Sequence, residues 1–183
     1  MTRPIIIGVH GLAGSGKDTI AEHLVVQHDF EAIAFADPLK AMLCALGLNE
    51  SHFSRQAKET MVPWLGRTPR DLMDSLGDWV RTACGDDALV RIARRQYQLL
   101  YWGHGRKRYV FPDVRRDDEA AFVKQLGGVV WNVVSPRDYK PSDHEIHRSI
   151  DPALVDDICI NSGTLEELYS WIDRRIDQFR EAA

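Results

Sequence analysis

The chain opens on Pro4-Ile5-Ile6-Ile7-Gly8-Val9, an apolar run that passes directly into glycine, serine and lysine. A run this short, bounded by turn residues, predicts a strand buried on both faces, as in a parallel sheet. It is too short for a signal segment or a membrane span. Similar runs predict strands at 4–10, 31–36, 109–113, 129–134 and 157–161. Longer amphipathic stretches between them predict helices at about 16–28, 38–47, 69–83, 86–101, 117–126 and 164–180. The last has the clearest period, with Leu165, Leu168, Ile172, Ile176 and Phe179 on one face. This alternation predicts a three-layer α/β fold around a five-stranded parallel sheet. The stretch of about 38–102 is too long for a simple crossover and predicts a helical insertion over the ligand edge of the sheet. No Pro/Gly/Ser-rich linker sets it apart, so residues 1–183 read as one domain.

Composition narrows the functions open to such a fold. The 183 residues are 44% apolar, enough for a buried core, and carry a formal charge of −4. That balance excludes a broadly cationic surface, so no nucleic-acid partner is expected and any phosphorylated ligand must be held by local Lys and Arg clusters. Cys44, Cys84 and Cys159 are far apart and odd in number, which points to a reducing cytoplasm.

The chemistry starts where the first strand ends. Gly11-Leu12-Ala13-Gly14-Ser15-Gly16-Lys17 has the GxxxxGK spacing of a P-loop, between a β-branched strand and a helix carrying Ile20, Leu24 and Val25. Glycines let successive backbone N–H groups converge on phosphate oxygens, and the helix N-terminus adds a favourable dipole. Gly11, Ala13, Gly14, Ser15, Gly16, Lys17, Asp18 and Thr19 are therefore candidates to bind ATP, with Lys17 bridging the β- and γ-phosphates. The Ser or Thr that ordinarily follows the lysine and ligates Mg²⁺ is replaced by Asp18, a candidate metal ligand in its place.

Several further stretches keep company with this loop: Ser15-Gly16-Lys17-Asp18-Thr19, Phe35-Ala36-Asp37-Pro38-Leu39-Lys40, Thr68-Pro69-Arg70 with Leu76-Gly77, Asp113-Val114-Arg115, Glu119, Gly127-Gly128 and Asn161-Ser162-Gly163-Thr164-Leu165. Taken in order, they resemble the bacteriophage-type deoxynucleoside monophosphate (dNMP) kinases over nearly the whole chain. The resemblance implies a P-loop kinase of the nucleoside monophosphate kinase fold, transferring phosphate from ATP to a dNMP with Mg²⁺, in a host cytoplasm if phage-encoded. It departs from the family at Asp74, where a glutamine is usual, and in a His-x-Ser-Glu pattern that stands here as His147-Arg148-Ser149-Ile150. The same donor half would serve another small-molecule kinase, such as one for a coenzyme precursor, or a nucleotide-binding module without catalysis. A homodimer is compatible with the sequence.

The remaining candidates each have a structural alternative. Asp37 ends a strand before Pro38 and is placed to contact the acceptor as orienting group or base, with Lys40 offsetting its charge, or else to cap the following helix. On helix 69–83, Arg70, Asp74, Gly77 and Arg81 share one narrow face opposite Leu72, Leu76 and Val80, which suits a monophosphate and sugar or an ordinary solvated face. Asp113 ends the strand expected beside the P-loop strand, the position of a second Mg²⁺-linked carboxylate, or else simply begins a turn; Arg115 follows as a candidate for a phosphate oxygen and Arg116 as a further dNMP-binding candidate. The segment at about 135–150 matches the lid of related kinases and offers Arg137, Lys140 and Arg148. Asn161, Gly163 and Thr164 are candidates to line the adenine pocket, or form a turn with Thr164 as cap. His144-Glu145-Ile146-His147 lacks metalloprotease spacing, and Gly103-His104-Gly105-Arg106-Lys107-Arg108 reads as a hairpin-like surface loop.

Overall fold

A computed structural model describes residues 4–104, 108–135 and 150–181. In chain order these form β1 (Ile5–Gly11), α1 (Lys17–His28), β2 (Glu31–Ala32), α2 (Asp37–Ala45), α3 (Pro69–Cys84), α4 (Ala88–His104), β3 (Arg108–Val114), α5 (Asp117–Gln125), β4 (Val129–Val134), β5 (Asp157–Ile160) and α6 (Leu165–Glu181). Short 3₁₀ turns lie at Glu50–Phe53, Ala57–Glu59 and Pro152–Leu154. The described strands make one parallel sheet in the order β2-β3-β1-β4-β5. The apolar run at the N-terminus thus occupies the centre, where both faces need covering. Among the described residues, no helix is long and apolar enough to cross a membrane.

The chain divides into two compact units, Met1–Ala34 with Gln96–Ala183, and Phe35–Arg95. In the first, Ile7 and Val9 of β1 and Trp131 and Val133 of β4 form one core with Ile20 and Leu24 of α1 and Leu168, Ile172 and Ile176 of α6. The period expected for the last helix is therefore its buried face. On the other side of the sheet, Phe111 of β3 meets Phe122 of α5 edge-on, with ring centroids 5.5 Å apart. Helices α1 and α6 on one face and α5 on the other give the three layers.

The second unit has its own apolar centres. Leu39, Val80, Ala88 and Leu89 form one, and Leu43, Leu48 and Val62 the other, with Leu76 packed against both. Helix α3 starts as its sequence dictates: the Thr68 hydroxyl accepts from the Asp71 amide at 3.1 Å and Pro69 takes the first helical position.

Several boundaries differ from expectation. The strand expected at 31–36 covers only Glu31–Ala32, because this edge strand pairs with β3 alone and the chain turns at Phe35-Ala36 to enter α2; the Ile33 amide still donates to the Val110 carbonyl at 2.9 Å. Helix α2 starts at Asp37 and ends at Ala45, two residues short of the expected end. Of the segment 103–108 expected as a hairpin-like loop, Gly103 and His104 complete α4 and Arg108 begins β3; residues 105–107 lie outside the described residues.

Candidate active site

The P-loop leaves the C-terminal end of β1 and feeds α1 at Lys17. Two of its glycines are demanded by geometry. Gly11 has φ 145°, and a Cβ there would lie 2.4 Å from the Val133 carbonyl oxygen of β4. Gly16 caps α1 with φ 107°, and a Cβ there would lie 2.5 Å from Asn161 Nδ2. The loop is laced from within and from below. The Ser15 amide donates to the Leu12 carbonyl at 3.1 Å, and Asn161 Nδ2 donates to the Ser15 carbonyl at 2.8 Å. Lys17 folds over the loop, its Nζ donating to the Leu12 carbonyl at 2.6 Å. The ammonium group is thus held over the loop, where a triphosphate would meet it.

Asn161, expected to line an adenine pocket, ties the β5–α6 turn to the loop through its side chain. The turn ends in a reciprocal cap: the Glu167 amide donates to Thr164 Oγ1 at 3.3 Å, and the Thr164 amide donates to Glu167 Oε2 at 2.7 Å. Gly163 lies in the same turn, where a Cβ would strike the Glu167 carboxylate.

β3 supplies the adjoining wall. Its register with β1 slips after Gly8↔Phe111 to His10↔Val114, so β3 carries one extra residue around Pro112-Asp113. Pro112 has no N–H to give the ladder, which makes this the natural place for a bulge. Asp113 therefore sits within the bulged end of β3, which runs on to Val114 rather than stopping at 113 as expected. The buried Glu119 carboxylate then accepts from the amides of Arg115 at 2.7 Å and Arg116 at 3.2 Å, fixing the turn into α5. Arg115 is half-buried, whereas Arg116 is exposed and pairs with Asp118 at 3.1 Å. Asp18 is exposed on the first turn of α1, and Thr19 is half-buried beside it.

One feature beside the loop escaped the sequence reading. His10, 8% exposed, directs Nδ1 at the Val114 carbonyl at 2.9 Å, so Nδ1 carries the hydrogen and Nε2 is left as an acceptor. It lines a cleft of about 580 Å³ with Asn132, Ile150 and Ile158. The signal was a polar residue inside the apolar first strand. Burial pushes the imidazole below its ordinary value; the Val114 bond opposes this, the Lys17 charge adds to it and Asp117 opposes it. The unfolded chain thus takes up a proton near pH 6.5 that the folded chain resists, and His10 subtracts stability as pH falls from about 6.5 toward its folded pKa. Thermal unfolding of His10→Asn should therefore lose less stability than the wild type between about pH 7 and about pH 5.5.

In the unit Phe35–Arg95, Asp37 does not cap α2: it is the first helical residue, Ala36 is the cap, and Lys40 Nζ donates to Asp37 Oδ1 at 3.3 Å. Arg70, at the start of α3, pairs with Glu59 through Nε at 2.5 Å. Asp74, Gly77 and Arg81 follow along the same helix. The Arg81 guanidinium lies over Gly77, where a Cβ would be 3.1 Å from Nη1, so the glycine makes room for the arginine of its own helix. The candidate lid residues Arg137, Lys140 and Arg148, and the His144-to-His147 pattern, lie outside the described residues.

Hard oxygen donors suit a magnesium ion, which keeps several waters and takes one or two carboxylates plus phosphate oxygens. Asp18 and Asp113, both in the sheet unit beside the loop, fit that donor set.

No family model matches the chain. It is 33% identical over 194 residues to a protein of Acanthamoeba polyphaga mimivirus described as a "putative deoxynucleotide monophosphate kinase", with 94% of this chain and 96% of that protein covered. Its fold is similar to that of TT1252 from Thermus thermophilus, with TM-score 0.55, 21% identity, and 97% and 98% of the two chains covered. It is similar also to dephospho-CoA kinase from Campylobacter jejuni, with TM-score 0.54, 15% identity and the same coverage. These two likenesses are of fold alone, the three-layer α/β architecture.

Proposed function

Because this chain belongs to the deoxynucleotide monophosphate kinase family, a P-loop phosphotransferase family drawing on ATP, we propose that its acceptor is a dNMP and its product the corresponding diphosphate. The observation that carries this is the 33% identity to that relative across 94% of the chain. The ordered motifs resembling the bacteriophage-type enzymes support the same reading and a role in nucleotide supply in a host cytoplasm.

In this mechanism the loop amides and Lys17 grip the β- and γ-phosphates of ATP. Asn161 holds the Ser15 carbonyl in a bond of its own, so that oxygen is not left to repel the phosphates. Asp18 and Asp113 would hold Mg²⁺, which supplies charge neutralisation on the phosphate oxygens. In the unit Phe35–Arg95, Arg70 and Arg81 are assigned to the acceptor phosphate and Asp37, Lys40 and Asp74 to the rest of the dNMP; in the sheet unit, Arg115 and Arg116 are assigned to phosphate oxygens. An ionised phosphate is already a competent nucleophile, so positioning and charge compensation carry most of the rate and little base catalysis is needed. A lid arginine, Arg137 or Arg148, adds positive charge as the phosphoryl group passes.

Arg70→Ala tests the acceptor assignment. Loss of a charge-assisted hydrogen bond should raise the KM for the dNMP about 10- to 100-fold and leave the KM for ATP nearly unchanged. Equal rises in both, with the circular dichroism spectrum preserved, would remove Arg70 from the acceptor site.

A further inference from the structure

Away from the phosphate loop, three side chains from two helices converge on one point. His23 and His28 of α1 both direct Nε2 at the same oxygen of Asp173 on α6, at 2.8 and 2.7 Å. The ligating atoms all lie within 4.8 Å of one another. Both imidazoles are about nine-tenths buried, with 10% and 9% of the side chain exposed, while Asp173 is 48% exposed. The His23 ring is fixed in plane by stacking on Tyr169, with centroids 4.2 Å apart and planes 12° from parallel.

We propose that His23, His28 and Asp173 form a binding site for one zinc-class divalent cation. Two imidazole nitrogens and one carboxylate oxygen are a borderline donor set, suited to Zn²⁺, Co²⁺ or Ni²⁺ and poorly suited to Mg²⁺. Three protein ligands with the most exposed of them at the surface leave a fourth position to water, the usual completion of such a site. The cation replaces two N–H···O hydrogen bonds with three coordinate bonds, and each neutral imidazole moves its hydrogen from Nε2 to Nδ1. His28 Nδ1 is buried without a partner, so the exchange leaves one unsatisfied buried group there in either tautomer, an acceptor before and an N–H donor after. The site is separate from the phosphoryl-transfer chemistry: His28 lies eleven residues beyond Lys17 on one helix, about 16 Å along its axis. Its effect is to clip the far end of α1, the helix that carries the P-loop at its near end, to α6.

The test uses untagged, chelator-stripped protein titrated with Zn²⁺ by calorimetry and native mass spectrometry, and with Co²⁺ by visible absorption. One equivalent should bind, Mg²⁺ should not compete, and Zn²⁺ should raise the thermal midpoint. Asp173→Asn, which keeps the size and hydrogen bonding of the residue, and His23→Gln should each weaken Zn²⁺ binding by at least about tenfold and abolish the thermal shift. Absence of stoichiometric uptake by the wild type would overturn the proposal. So would uptake unchanged in both variants, since it would then belong to other histidines among the seven.

Discussion

Lys17→Ala should lower kcat about a thousandfold while leaving the protein folded. The size follows from the kind of interaction removed. A single preorganised cation aimed at charge that shifts during transfer acts in a site from which water is displaced, where such contacts are worth several kcal/mol. The fold should barely respond, because Lys17 is half-buried on the first turn of α1 and its ammonium rests on a loop carbonyl rather than in the apolar core. Thermal unfolding should stay within about 1 kcal/mol of the wild type. Steady-state kinetics with a fixed dNMP, alongside calorimetric unfolding, separates the two effects. Near-wild-type turnover would remove the loop from the chemistry.

Gly11→Ala should do the reverse and damage the fold. The added methyl carbon would lie 2.4 Å from the Val133 carbonyl oxygen, and that carbonyl belongs to β4, held between β1 and β5. Neither strand can give way without breaking its ladder, and φ 145° is itself unfavourable for alanine. A cost of about 3 kcal/mol or more, or roughly 6–12 °C in thermal midpoint for a chain of this size, is expected, together with loss of ATP binding. Gly103→Ala is the control. Nothing lies within 4 Å of a Cβ there, inside α4, so alanine should be neutral or stabilising by up to about 1 kcal/mol. Differential scanning calorimetry of both variants measures the contrast; equal midpoints would contradict it.

What could be read from the chain without coordinates was whatever is encoded over a few residues. The buried central strand, the turn from Gly11 into α1, the Thr68-Pro69 start of α3 and the apolar stripe of α6 each rest on a local pattern whose physics is local too. The short β2 was misjudged because an apolar run says nothing about how many residues a neighbouring strand will pair. The bulge at Pro112-Asp113 had a visible signal, a proline inside a strand, but which way it displaces Asp113 depends on register with β1. The Asn161 contact with Ser15 joins residues 146 apart, and the Asp173 contacts with His23 and His28 join residues 150 and 145 apart. No period or motif encodes such meetings; they follow from α6 packing against α1. Glu119 shows the intermediate case. Its place three residues after Arg116 hints at a helix-start cap, yet its burial and double acceptance of the Arg115 and Arg116 amides emerge only in the fold.

On the proposed reading, this P-loop kinase phosphorylates a deoxynucleoside monophosphate. A coupled assay of ADP release, run with ATP and Mg²⁺ against each dNMP, each NMP and dephospho-coenzyme A in turn, tests it most directly. At least one dNMP should yield ADP and the matching diphosphate in equal amounts, with kcat/KM about a hundredfold or more above that for dephospho-coenzyme A. Tight ATP binding without ADP release on any dNMP, or turnover confined to the coenzyme precursor, would contradict it.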